Sequence, residues 1–194
     1  TIGKEISDLI SDFKRGSILR EGISVVLAGK PNAGKSSLFN ALLARDRALV
    51  SGFPGTTRDA LEEALEIQGF YVRLTDTAGL SSTPGHPVDQ LGMERTRLAL
   101  KEADIFLYVA DGSVSLEEAD RIVFEELNTG RPILVLINKS DLEAALRLED
   151  LQKLTGIDPQ EYLRISTKTR EGLSELEKKI GSFLLAGSAV AKEG

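Results

Sequence analysis

The sequence predicts an α/β domain: a doubly wound, mostly parallel sheet carrying one antiparallel hairpin at its edge. Three observations lead there. Short β-branched apolar runs alternate with stretches of helical period, a glycine-rich loop joins the first run to a helix, and Gln68-Gly69 separates two extended segments. With 194 residues, 41% of them hydrophobic, the chain has the length of one domain and enough apolar surface for a sizeable core.

The elements follow in order. Ile2, Ile6, Leu9, Ile10 and Phe13 recur at helical spacing and predict an amphipathic helix ending near Gly16. "ISVVLAG" (23–29) reads as a strand, and "KSSLFNALLA" (35–44) as a helix with Leu38, Leu42 and Leu43 on one side. "ALEEALEI" (60–67) and "FYVRLTD" (70–76) form the hairpin. "ADIFLYVAD" (103–111) and "PILVLINK" (132–139) are apolar throughout, as strands covered on both faces are. Leu116, Ala119, Val123 and Leu127 mark one helix between strands, and Leu173, Leu176, Ile180, Phe183 and Leu184 mark another near the end, after a short strand at "YLRIS". Residues 45–60 and 79–92 read as loops longer than a compact fold needs, which points to function. The expected division is an N-terminal helix at 1–20, a main domain at 21–185 and a disordered tail at 186–194.

Composition narrows the function. A net charge of -6 supplies no basic stripe for a nucleic-acid backbone, so no direct nucleic-acid binding by this chain is expected. Zero cysteines exclude disulfides, thiolate metal sites and cysteine nucleophiles, in keeping with a cytoplasmic location. No apolar run approaches the roughly 18 residues that span a bilayer, so no membrane association is expected. The chain begins at Thr1 and its one methionine is Met93, so a cut from something longer is expected.

"GKPNAGKSS" (29–37) fits GxxxxGK[ST] and lies between a strand and a helix, where main-chain N–H groups and the helix dipole converge on an anion. Asn32, Ala33, Gly34 and Ser37 belong to this phosphate cradle, Lys35 reaches the outer phosphates, and the Ser36 hydroxyl ligates Mg²⁺. "NKSD" ends a strand: the Asp141 carboxylate matches guanine's N1–H and exocyclic amine, a pair that adenine lacks, so GTP is the expected ligand if Asp141 is buried against the base. Asn138, Lys139 and "STK" (Ser166, Thr167, Lys168) complete the base pocket. "DTAG" (Asp76, Thr77, Ala78, Gly79) places a carboxylate on Mg²⁺ through water and a glycine near the γ-phosphate. "GTTRD" lies in the first long loop, with Thr57 as a second Mg²⁺ hydroxyl. These loops are the two switches.

Catalysis then needs positive charge. The place after DxxG holds Leu80, which cannot orient water, and no arginine finger is evident within the chain. Asn32 offers its amide oxygen to a monovalent cation beside the β/γ bridge; the alternative is a hydrogen bond that ties the loop.

The segments "ILREGISVVLAGKPNAGKSSLFNALL", "GFPGTTRDALEE", "DTAGL", "LGMERTRLALKEAD" and "INKSDL" together resemble the G domain of the MnmE (TrmE) tRNA-modification GTPases, over essentially the whole chain. The resemblance implies a P-loop NTPase of the Ras-like G-domain type, hydrolysing GTP to GDP with Mg²⁺ and stimulated by K⁺. K⁺ would rest on Asn32 with Ser51, Phe53 and Thr56, within a switch-I stretch that also holds Gly52, Pro54 and Gly55. It further implies self-dimerisation of G domains across the switches in the GTP state, an FAD-containing MnmG-type partner met through the full-length protein, and tRNA reached only in the full complex. The helix at 1–20 would then be the joint to a helical domain. Three departures stand out: the family's catalytic glutamate aligns with Asp89, Ser81 replaces a common arginine, and STK replaces SAK. His86 and Arg58 are expected outside the chemistry, as a solvated side chain and a loop brace. Ribosome-assembly GTPases of the Era/Der type, acting as nucleotide-gated binding modules, share the phosphate loop and GTTRD.

Overall fold

A computed structural model describes residues 22–46, 62–77 and 88–189. Their elements are β1 (Ile23–Ala28), α1 (Lys35–Asp46), β2 (Glu62–Ile67), β3 (Phe70–Asp76), α2 (Val88–Glu102), β4 (Ile105–Asp111), α3 (Glu118–Leu127), β5 (Ile133–Asn138), α4 (Leu148–Thr155), a single 3₁₀ turn at Pro159–Glu161, β6 (Leu163–Arg164) and α5 (Leu173–Ala189). The strands form a six-stranded sheet in the order β2-β3-β1-β4-β5-β6, parallel except for β2 against β3. The expected α/β architecture is therefore present, hairpin included. Gln68 and Gly69 turn it with φ of 53° and 81°, the left-handed pair that a two-residue turn requires.

Alternation along the strands divides the core. In β4, Ile105, Leu107 and Val109 join Val25, Leu27, Leu38, Leu42, Leu136 and Ile180 on one face. Phe106, Tyr108 and Ala110 meet Val26, Phe124, Val135 and Leu151 on the other. Both faces are covered, so these runs carry no polar alternation. The sheet register sets the site, because Leu27 pairs with Asp76 and Asp111 with Asn138. The carboxyl ends of β3, β4 and β5 thus crowd around the loop that leaves β1, the place where such sheets bind ligands.

Several boundaries differ from the sequence reading. Helix α2 begins at Val88, inside the stretch 79–92 read as loop, and α1 runs to Asp46, inside the stretch 45–60 read the same way. The extensions, Arg45-Asp46 and Val88 to Gly92, are each too short for apolar period to mark them. Helix α5 continues to Ala189, four residues into the segment 186–194 read as tail. Strand β4 starts at Ile105 rather than Ala103, and just before it Asp104 meets β1 through a side chain in place of a ladder carbonyl: its N donates to Ser24 O at 2.8 Å and its carboxylate accepts from Ser24 N at 2.9 Å. The helix expected at 1–20 lies outside the described residues. Among the described residues no helix is long and apolar enough to cross a membrane.

Tyr108 is fully buried and meets Phe124 edge-on, ring centroids 5.2 Å apart. Its hydroxyl donates to Asp120 Oδ1 at 3.3 Å, and Asp120 is itself 1% exposed. Burial first, and the neighbouring Asp120 charge second, push the Tyr108 phenol well above its ordinary pKa of 10.0. The folded chain then holds this proton more tightly than the unfolded chain. The stabilisation is complete below about pH 10 and is lost as pH rises past the unfolded value. Accordingly, Tyr108→Phe should make the fall in melting temperature between about pH 9 and pH 11 shallower than in the parent, at a cost of about 1 kcal/mol at neutral pH. A second outcome concerns the core: Leu136→Ala, at 0% exposure, should cost about 2–5 kcal/mol in urea unfolding, and Ile122→Ala, at 54%, less than about 0.5.

Candidate nucleotide site

The loop between β1 and α1 is shaped by glycine where nothing else fits. Gly34 stands at φ +100°, and a Cβ there would lie 2.1 Å from the Asn138 amide nitrogen. Asn32 sits at φ 64°, in the left-handed region that asparagine tolerates better than most residues, and this backbone demand is one reason for an asparagine there. It is exposed, and its amide bonds to none of the described residues, so it does not tie the loop by a hydrogen bond to any of them.

Lys35 opens α1, 5% exposed, with its ammonium folded back on the loop: it donates to Gly29 O at 2.6 Å and Lys30 O at 2.8 Å. Burial holds its pKa below the ordinary lysine value, against the attraction of Asp76. An anion in the cradle would supply the charge partner that two carbonyls only approximate. Ser36 Oγ donates to Asp76 Oδ2 at 2.6 Å. A hydroxyl and a buried carboxylate, joined directly at the mouth of the cradle, are the hard oxygen donors that suit Mg²⁺. Thr77 Oγ1 donates to Leu27 O at 2.8 Å, which pins the residue after β3 to β1.

Lys30 turns away from the cradle. It bridges to Asp120 Oδ2 at 3.0 Å and Glu117 Oε2 at 3.1 Å, fixing the loop to the start of α3. Burial alone would lower its pKa, but the hydrogen bonds to Asp120 and Glu117 outweigh that and raise it. Asp120 Oδ2 also accepts from Glu117 N at 3.0 Å, so one carboxylate caps the helix and anchors the loop. The sequence reading missed Lys30 and Asp120 as partners; an acid at the third position of a predicted helix was the only local signal.

On the base side, Asn138 is fully buried. Its amide donates to Ala33 O at 2.8 Å, and its oxygen accepts from Thr167 N at 3.2 Å. Asp141 Oδ1 accepts from Ser166 Oγ at 2.6 Å, and Lys168 Nζ stands 3.8 Å from Oδ2. The Ser166 hydroxyl, with Lys168 and Lys139 behind it, lowers the Asp141 pKa, so this group is a carboxylate at neutral pH. Its side chain keeps 14% of its surface, against a main chain open to solvent; the carboxylate is sheltered by the 166–168 loop rather than sunk in the core.

The structure therefore brings Lys35, Ser36, Asp76 and Thr77 to one end of a single cleft, and Asn138, Lys139, Asp141, Ser166, Thr167 and Lys168 to the other, with Ala33 and Gly34 between. Ser51, Gly52, Phe53, Pro54, Gly55, Thr56, Thr57, Ala78 and Gly79 lie outside the described residues. Asp89 falls in the first turn of α2, and its side chain lies outside them too. A cavity of about 660 Å³ opens between α2 and α3 and is lined by Thr96, Arg97, Leu100 and Arg131; none of the described phosphate or base residues lines it.

Comparison with known proteins agrees with this cleft. The family model described as 50S ribosome-binding GTPase matches residues 24–139. The tRNA modification GTPase MnmE of Bacillus licheniformis is 43% identical over 187 residues, 96% of this chain and 40% of that protein. The chain thus spans about two-fifths of the length of the curated relatives it matches. Among solved structures, the G domain of the T. maritima FeoB iron transporter aligns with a TM-score of 0.57 at 29% identity, over 84% of this chain and 98% of that one. An Era variant from Aquifex aeolicus bound to GDP and aluminium fluoride aligns with a TM-score of 0.58 at 25% identity, over 80% of this chain and 55% of that one. The likeness to MnmE that the motifs suggested holds across the chain, and with its phosphate loop, its paired Ser36 and Asp76 and its N-K-S-D pocket on one sheet edge, the chain belongs to the 50S ribosome-binding GTPase family as a P-loop G domain that hydrolyses GTP.

Proposed function

We propose that this chain is the GTP-hydrolysing, switching unit of a tRNA wobble-uridine modification protein, Mg²⁺-dependent, K⁺-stimulated and activated when two G domains meet across their switches. Through the full-length protein it would work with an FAD-containing MnmG-type partner and reach tRNA only in the assembled complex. The observation that carries the nucleotide chemistry is the convergence of Lys35, Ser36 and Asp76 at one end of the cleft and Asn138, Asp141 and Ser166 at the other. The 43% identity to an MnmE over 96% of this chain favours wobble-uridine modification as the service rendered.

The residues divide the work. The loop amides around Ala33, Gly34 and Lys35 grip the phosphates at the start of α1, and Lys35 leaves the Gly29 and Lys30 carbonyls for a phosphate oxygen. Asp141 takes the two guanine donors, and Ser166 keeps its carboxylate ionised and aimed. Ser36 and Thr57, with Asp76 through water, would hold Mg²⁺, which when bound neutralises charge on the β- and γ-phosphate oxygens. Asn32, its amide unengaged by any described residue, fits a K⁺ ligand, with Ser51, Phe53 and Thr56 completing the set from the first switch. Asp89, in the first turn of α2, holds the attacking water in the place of the family's longer glutamate.

The family description and the fold likeness to Era favour a second reading, a nucleotide-gated module of ribosome assembly. Recovery of ribosomal subunits rather than an FAD protein with the full-length protein would decide for it. Hydrolysis assays test the first reading. K⁺ at tens of millimolar should accelerate turnover several-fold over Na⁺, and Asn32→Ala should abolish the difference; equal rates in the two salts would reject the K⁺ role. Asp89→Ala should slow turnover by about 10- to 100-fold with GTP affinity unchanged, and full activity would clear Asp89 of any part.

A further inference from the structure

Asp111 ends β4 and contributes to neither the phosphate grip nor the base contacts described above, yet it is only 7% exposed. A carboxylate so covered needs partners. Oδ1 accepts from Ser113 N at 2.9 Å and Ser113 Oγ at 2.6 Å, and Oδ2 accepts from Lys139 Nζ at 2.5 Å. Hydrogen bonds from Lys139 and Ser113 more than offset the effect of burial and keep its pKa below the usual carboxylate value.

The partner is the lysine of the N-K-S-D loop. Lys139 stands at φ 64°, a conformation that is unfavourable for a side-chain-bearing residue, and fixing its long side chain costs rotamer freedom. Asp111 meets both demands before any ligand arrives. The two segments are also held in register. Asp111 pairs with Asn138 across the strands, Gly112 N donates to Asn138 O at 2.9 Å, and a Cβ on Gly112 would lie 2.8 Å from that oxygen. The turn at 111–113 is thus pressed against the base loop, with the carboxylate under the lysine.

We propose that Asp111 is a positioning residue for guanine-nucleotide binding: by holding the Lys139 ammonium it sets the N-K-S-D loop, so that Asn138 and Asp141 meet the base already ordered. The proposal rests on the reading of 138–141 and 166–168 as the guanine pocket. Replacing the carboxylate by an amide leaves the ammonium without its counter-charge and frees the loop, which acts mainly on release of the nucleotide.

A double-mutant cycle on fluorescent GDP binding tests it, with dissociation constants and off-rates measured for the parent chain, Asp111→Asn, Lys139→Met and the double variant. Asp111→Asn should bind about tenfold more weakly, mostly through faster release. The double variant should bind no more weakly than Lys139→Met alone, and Asp111→Glu should recover affinity to within about threefold. Ser113→Ala should stay within about twofold of the parent, and the ligand-free melting temperature of Asp111→Asn within about 3 °C of it. Effects of the two single changes that multiply in the double variant, or a Ser113→Ala loss equal to that of Asp111→Asn, would assign Asp111 to its own turn and overturn the proposal. Should Asp111→Asn not fold, a Lys139→Met chain that binds GDP like the parent overturns it as well. A parent chain that holds ADP as tightly as GDP would remove the guanine-pocket reading itself and this proposal with it, an outcome separate from the cycle.

Discussion

One buried carboxamide holds the two ends of the cleft together. Asn138 links Ala33, in the phosphate loop, to Thr167, in the base loop, across more than 100 residues of sequence in one direction and 29 in the other. Each such hydrogen bond contributes only about 1 kcal/mol net, but leaving any of these buried groups unpaired would cost about 1–3 kcal/mol. The bond therefore acts less as a source of stability than as a rule about arrangement. It requires Gly34, since any side chain there would strike the amide nitrogen, and it fixes the distance between the grip on the phosphates and the grip on the base.

Around that link, the site is built from groups whose present partners are replaceable. Lys35 rests on two main-chain carbonyls and Ser36 on Asp76, and each of these contacts can be exchanged for a stronger one with a phosphate or a hard cation. The backbone is similarly committed in advance. Among the described residues, four that are not glycine adopt positive φ, and two of them, Asn32 and Lys139, lie in the phosphate and base loops. Strain of this kind persists where the surroundings over-determine it, as Asp111 does for Lys139 and as the Lys30–Asp120 bridge does for the loop that carries Asn32.

Much of this was readable from the sequence because the signals were local. Alternating runs such as "IFLYVAD" fix strands, Gln68-Gly69 fixes a turn, and the GxxxxGKS and NKxD spacings name the ends of the cleft. What stayed hidden depends on residues distant in sequence. Lys30 finds Asp120 and Asp111 finds Lys139 only because the sheet order places β1, β4 and β5 side by side. Helix α4 sets Leu148, Leu151 and Leu154 at helical spacing, but its eight residues are too short a window for period alone to mark a helix, and the start of α2 at Val88 follows a run of polar and proline residues that reads as loop.

The sheet order also splits the ligand's duties between two flanks. Strand β1 is central: β3 and the antiparallel β2 lie to one side with Asp76, and β4, β5 and β6 lie to the other with Asn138 and the base loops. Asp76 and the N-K-S-D loop therefore ride on strands separated by β1 and β4, and a shift of the hairpin flank would reach residues 138–141 only through those two strands.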